Sequence, residues 1–136
     1  MTVSILLVDD DDVAREAMIR NLRKSGADID IVEAEDGFAA LQIMLGVHPV
    51  RVISKPYFVF LDLNMPRMDG FELLNLVRGN PKIADTTIYV LSTSNARADQ
   101  KMAYDKNVAG YLVKSQVGKD FGMLANLMKA PNATSG

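Results

Sequence analysis

A chain of 136 residues, 49% of them hydrophobic, has the material for a single domain with one core. Its net charge of −2 and its lack of any basic run exclude an electrostatic nucleic-acid binder, and the absence of cysteine excludes a disulfide framework, a thiol nucleophile and a thiolate metal site. No apolar run approaches the ~20 residues of a membrane span, and the first residues lack a signal peptide's charged region and cleavage site, so a cytoplasmic protein is expected.

Val3-Ser4-Ile5-Leu6-Leu7-Val8 is nearly all apolar and reads as a first strand buried on both faces. It meets four consecutive carboxylates, Asp9, Asp10, Asp11 and Asp12. Val13, Ala17 and Leu22 then follow helical spacing to Lys24, with Asp11 or Asp12 as N-cap and Gly26 as the stop. Capping accounts for one or two of the four acids and leaves Asp9 and Asp10 without a role. Ile29 to Ala34 reads as a second strand, and Asp36-Gly37 opens a second helix with Phe38, Leu41, Met44 and Leu45 on its apolar face. From Gly46 to Pro56 the periodicity stops, and Gly46, Pro49 and Pro56 mark a connecting loop. This loop carries the single histidine, His48, expected to be solvated, and Lys55-Pro56, which precedes the third strand rather than ending one.

Tyr57 to Leu61 is again continuously apolar, and it ends abruptly on Asp62. Pro66 and Gly70 force a turn, after which Phe71, Leu73, Leu74 and Val77 take up helical spacing to about Arg78. An Asp at a strand end can simply cap a turn. It can also be presented at the carboxyl end of a sheet, where open α/β folds keep their sites. Asn80-Pro81 punctuates the next loop, and Thr87 to Leu91 forms a fourth strand ending in Ser92-Thr93-Ser94-Asn95. A polar-rich helix follows over roughly 96–106, then a fifth strand, Ala109 to Val113, ending on Lys114. The last helix runs from Lys119 to Met128 with Phe121, Leu124 and Leu127 at helical spacing. Residues 1–130 are therefore expected to form one domain, and 131–136 a frayed tail.

Strand and helix alternate five times, which calls for an α/β fold: a doubly wound parallel sheet with helices on both faces and right-handed crossovers. Polar residues stand at four of the strands' carboxyl ends: Asp9 and Asp10, Asp62, Ser92 and Lys114. The second strand contributes nothing comparable. In the strand order 2-1-3-4-5 the four lie side by side, and the site falls at the switch point between the first and third strands. Converging carboxylates repel unless a cation joins them, and oxygen-only ligands suit a hard ion such as Mg²⁺ or Mn²⁺. A lysine and a hydroxyl are superfluous for metal binding alone. They make sense beside a dianionic group held next to the metal, with a carboxylate as nucleophile forming an aspartyl phosphate. Asp62 is the candidate because it lies between the acids and the Ser/Lys side.

With Ile5-Leu6-Leu7-Val8-Asp9-Asp10, Leu61-Asp62-Leu63-Asn64-Met65-Pro66 before Met68-Asp69-Gly70, Val90-Leu91-Ser92, and Gly110-Tyr111-Leu112-Val113-Lys114, the chain resembles the receiver domain of two-component response regulators over about residues 3–128. The resemblance implies the flavodoxin-like (βα)5 receiver fold. It implies that Asp62 accepts a phosphoryl group from a sensor histidine kinase or phosphotransfer protein. Asp10, Asp62 and the backbone carbonyl of Asn64 would bind Mg²⁺, with Asp9 assisting through water. Ser92 and Lys114 would contact the phosphoryl oxygens, and Tyr111 would report the state of Ser92, unless it simply packs the strand. No output domain follows the last helix, so a stand-alone switch is expected, passing its signal to an unknown downstream protein or a homodimer partner through the face of helix 4, strand 5 and helix 5.

Three positions depart from the family pattern. Ser115 stands where a cis-proline is usual, and a cis bond before a non-proline costs about 2.5–4 kcal/mol, so Lys114-Ser115 is expected to be trans or strained. Ser92 replaces the commoner threonine and keeps the hydroxyl. Thr93 replaces a small residue, with bulk that would slow self-dephosphorylation. Two other classes are open: a Mg²⁺-dependent hydrolase with an aspartyl nucleophile, of the haloacid dehalogenase kind, against which Asn64 counts in place of a second Asp, and a pseudo-receiver that signals by binding alone.

Overall fold

The computed structural model describes residues 3–24, 26, 28–63, 65, 68–92, 101 and 103–114, Ser92 by its backbone only. Five strands form one parallel sheet: β1 (Val3–Val8), β2 (Ile29–Ala34), β3 (Tyr57–Asp62), β4 (Ile88–Ser92) and β5 (Gly110–Val113), in the order β2-β1-β3-β4-β5. Three helices lie between the first four strands: α1 (Asp12–Lys24), α2 (Gly37–Leu45) and α3 (Gly70–Arg78). This is the doubly wound architecture that the alternation predicts. Among the described residues, no helix is long and apolar enough to cross a membrane.

Central strands in a sheet covered on both faces cannot alternate polar with apolar, and every residue of β1 is buried. The two-residue period then divides the core. Leu6, Val8, Val59, Leu61 and Val90 meet α2 and α3 on one face, whereas Ile5, Leu7, Phe60, Leu91 and Leu112 meet Met18 and Leu22 of α1 on the other. Each such aliphatic or aromatic side chain contributes roughly 1.5–3 kcal/mol when fully buried.

The helix ends follow local chemistry. Asp11 Oδ1 accepts the N–H groups of Val13 and Ala14, so Asp11, the first of the two candidates, opens α1. Asp36 and Asp69 cap α2 and α3 by accepting from Ala39 and Glu72. Gly46, at φ 75°, closes α2 in a left-handed turn in which Val47 N–H donates back to Gln42 O at 2.9 Å. Residues 101 and 103–105 are helical and pass into a turn at Lys106 and Asn107, where Asn107 has φ 59°. The rest of that helix, the last helix over 119–128 and the tail lie outside the described residues.

Several expectations require correction. Val13 and Ala17 of α1 and Phe38 of α2 are exposed, Val13 at 75% and Phe38 at 52%. Leu22, Leu41, Met44 and Leu45 face the core as expected, joined by Met18 on α1 and by Ala39, Ala40 and Ile43 on α2. Val13 and Phe38 lie within the first turns of their helices. His48 is not merely solvated: its Nδ1 accepts N–H groups of Val50 and Arg51 at 3.1 and 2.9 Å and shapes the loop. The connection from α2 to β3 would keep that loop at the strands' amino ends, but it is not confined there. It climbs the outer edge of β2, so that Arg51 donates to Glu33 O at 3.0 Å and Glu35 Oε1 at 2.7 Å, beyond the carboxyl end of the strand.

Candidate functional site

Side-chain period carries three of the predicted site residues to one place. Leu7 and Asp9, Phe60 and Asp62, and Leu112 and Lys114 are each two apart, so each polar residue continues the face of its apolar predecessor. Those predecessors share the core layer under α1. The register sets Val8 beside Leu61 and therefore places Asp9 next to Asp62. From β5, Lys114 reaches back across two strands: its Nζ donates to Asp9 Oδ2 at 2.8 Å and lies 3.4 Å from Asp62 Oδ2.

Asp9 and Asp62 are buried, at 1% and 3% exposure, while Asp10 is exposed. One carboxylate oxygen from each of the three lies within 4.8 Å of the others. Asp9 has both oxygens engaged, Oδ2 by Lys114 and Oδ1 by the Asp11 N–H at 3.0 Å. Burial disfavours the Lys114 ammonium, but its hydrogen bond to Asp9 and the charges of Asp62 and Asp9 outweigh it, and its pKa is held above the ordinary value. Three carboxylates facing one ammonium leave an excess of negative charge, and the donor set is oxygen alone. It fits a hard divalent cation.

Gly70 sets the floor of this site by having no side chain. A Cβ there would come within 2.6 Å of Leu63 Cα and 2.8 Å of Asp62 O, and the Gly70 N–H donates to Leu63 O at 3.0 Å. The start of α3 is thereby pressed against the end of β3. Tyr111 is half-buried, packs against the core layer of α2 and α3, and pairs in register with Val90. The Ser92 side chain, Asn64, Thr93 and Ser115 lie outside the described residues, and with them the predictions on the Lys114-Ser115 peptide and the Thr93 contact.

Sequence reasoning missed Arg15 and Glu33. Arg15, only 11% exposed, donates to Asp9 O, Asp12 Oδ1 and Glu33 Oε1. The second strand therefore does contribute to the site, through Glu33. The i,i+3 spacing of Asp12 and Arg15 is a local signal for the first contact. Nothing local announces the other two.

The profile of the response regulator receiver domain matches residues 5–121. Response regulator Rcp1 of Synechocystis sp. is 32% identical over 116 residues, which cover 85% of this chain and 79% of that protein. Among solved structures, the phosphorylated cyanobacterial phytochrome response regulator RcpA is similar with a TM-score of 0.77 at 26% identity, covering 91% of both chains. The Mn²⁺-bound form of response regulator Rcp1 is similar with a TM-score of 0.73 at 29% identity, covering 94% of this chain and 92% of that one. With its sheet order, its acidic cluster and a profile match spanning nearly every element described, the chain belongs to the receiver-domain family of response regulators, the signalling switches of two-component systems.

Proposed function

We propose that this protein accepts a phosphoryl group on Asp62 from a sensor histidine kinase or a phosphotransfer protein. The observation that carries the reading is Lys114 Nζ between Asp9 and Asp62, at 2.8 and 3.4 Å. An ammonium placed there offsets part of the acids' charge at rest and would pair with phosphoryl oxygens once Asp62 is modified. A carboxylate oxygen of Asp62 attacks phosphorus, the bond to the donor nitrogen breaks, and an acyl phosphate forms on the side chain. Burial of Asp62 keeps bulk water from the reacting oxygen.

Asp10, Asp62 and the Asn64 carbonyl would hold Mg²⁺, or Mn²⁺ in its place, with Asp9 assisting through water. The bound ion supplies charge neutralisation as the phosphoryl group approaches the acids. The exposed Asp10, beside an Asp9 whose oxygens are already engaged, supports this division, and the Mn²⁺ in the similar Rcp1 structure supports a divalent ion. Ser92 and Lys114 contact the phosphoryl oxygens. Tyr111 follows Ser92 and alters the surface of helix 4, strand 5 and helix 5, where a downstream protein or a second copy binds. The receiver domain extends over residues 1–130, with 131–136 as a tail.

Intact-mass measurement after incubation with Mg²⁺ and a small phosphodonor tests the reading. One added phosphoryl group is expected, dependent on Mg²⁺ and absent from Asp62→Asn. No adduct in either protein, together with no response to beryllofluoride, would favour signalling by binding alone.

A further inference from the structure

Arg15 is a nearly buried cation whose guanidinium makes three separate contacts beside the acidic cluster. Its Nη1 donates to the backbone oxygen of Asp9 at 2.5 Å. That oxygen belongs to the planar peptide unit that also contains the nitrogen and Cα of Asp10. On the other side of Asp9, its own N–H donates to Ala34 O of β2 at 3.1 Å. Asp9 is thus tied through its N–H to β2 and through its C=O to Arg15. The second tie holds the peptide plane that carries the Asp10 Cα, from which the Asp10 carboxylate projects. Asp10 is exposed on a turn, where repulsion from Asp9 and Asp62 would otherwise turn it outward. Arg15 is held in turn by Glu33 Oε1 at 3.0 Å and by Asp12.

We infer that Arg15 is a positioning residue for the cation-binding acids: it orients the Asp9–Asp10 peptide so that Asp10 faces Asp62, and Glu33 on the edge strand orients Arg15. The inference rests on the proposed function only in taking Asp10 as a cation ligand. It opposes what charge alone predicts. A guanidinium near an acidic cluster repels a divalent cation, so its removal would tighten binding if electrostatics governed. If positioning governs, removal weakens binding.

The test is Mn²⁺ titration, followed by the paramagnetic signal of free Mn²⁺, on the full chain and on Arg15→Met, Arg15→Lys, Glu33→Gln and Asp10→Asn. It is run well below the lowest melting temperature of the set. Arg15→Met is expected to weaken Mn²⁺ binding tenfold or more and Glu33→Gln about threefold, at the scale on which outer partners of metal ligands act. Arg15→Lys, which retains one donor and the charge, should recover part of the loss. In an Asp10→Asn background, Arg15→Met should weaken binding no further. A merely structural arginine would lower the melting temperature and leave the affinity of the folded protein unmoved. Unchanged or tighter binding in Arg15→Met overturns the inference. If that variant does not fold, unchanged binding in both Arg15→Lys and Glu33→Gln overturns it. Asp10→Asn binding Mn²⁺ as tightly as the parent would instead refute the reading on which the inference stands.

Discussion

Two arginines, Arg15 and Arg78, sit at opposite ends of the sheet and spend their donors differently. Arg78 closes α3 near the amino ends of β4 and β5 and donates to four backbone carbonyls: Ala84, Thr86, Lys106 and Asn107, at 2.7 to 3.0 Å. Burial alone opposes its charge, with the nearby Asp85 offsetting part of that cost, and its pKa lies below the ordinary arginine value. Arg15 donates to one carbonyl and two carboxylates, and those partners outweigh its burial and raise its pKa. One end of the sheet therefore uses a cation to staple two loops ahead of β4 and β5. The other uses ionic pairs to hold like charges in a strained proximity. Neutral carbonyls are satisfied in place, whereas the acidic end retains a surplus of charge that a ligand can relieve. Arg78 joins loops at the amino end, and the uncompensated charge lies at the carboxyl end.

The largest effect expected from this division is on Arg78→Ala. Losing four charge-assisted bonds and leaving partly buried carbonyls open should cost about 3 kcal/mol in denaturant unfolding, with the Mn²⁺ affinity of the folded protein unchanged. A loss of affinity at unchanged stability would break the comparison. Gly70→Ala is expected to affect both properties. The added methyl meets backbone at 2.6 Å rather than a flexible side chain, so overpacking should cost about 1–3 kcal/mol and displace Asp62, weakening cation binding as well. A fully stable Gly70→Ala with parental affinity would show that the α3 start tolerates a shift.

Asp10→Asn sharpens the contrast by a change of sign. In buffer free of divalent cations it should stabilise the protein by about 1 kcal/mol, the water-screened repulsion of a charge pair at this spacing. With Mg²⁺ added the parent should regain the advantage, which a pair of melting curves would reveal. The smallest effect concerns the loop strapped to β2. The hydrogen bond from Arg51 holds the Glu35 carboxyl down at about 2. A depressed folded pKa gives stability that is present above the ordinary carboxylate range and lost as pH falls toward 2. Because the Glu35 side chain is 47% exposed, the loss should be only a few tenths of a kcal/mol. Glu35→Gln should flatten the acid side of the stability profile by that amount, and an unchanged profile would remove the strap from the account.

Much of this was legible in the chain because parallel sheets and phosphoryl sites both leave local marks. The apolar runs at Val3–Val8 and Tyr57–Leu61, each ending on Asp, reveal buried strands and where they stop. Caps such as Asp11 and Asp36 were legible for the same reason, since the acceptor and an N–H it serves are three residues apart. Helix faces were less so. Periodicity marks Val13 and Phe38 as apolar without revealing which side of the first turn the sheet will cover. The path of the 46–56 loop was not legible at all, because Arg51 finds its partners 16 and 18 residues back along the chain.

By itself, then, the sequence determined the alternating order of elements, the two-sided burial of the central strands and the chemistry at their ends, all consequences of residues near one another in the chain. Only the tertiary structure decided that Lys114 would rest on Asp9, 105 residues away, and that Arg15 would bridge Asp9 to Glu33. It also decided that Gly70 would be needed for close approach to β3 rather than for an unusual backbone angle. Those contacts join groups that become neighbours only when the strands pair. Nothing in local propensity or periodicity encodes the direction in which a long charged side chain will reach.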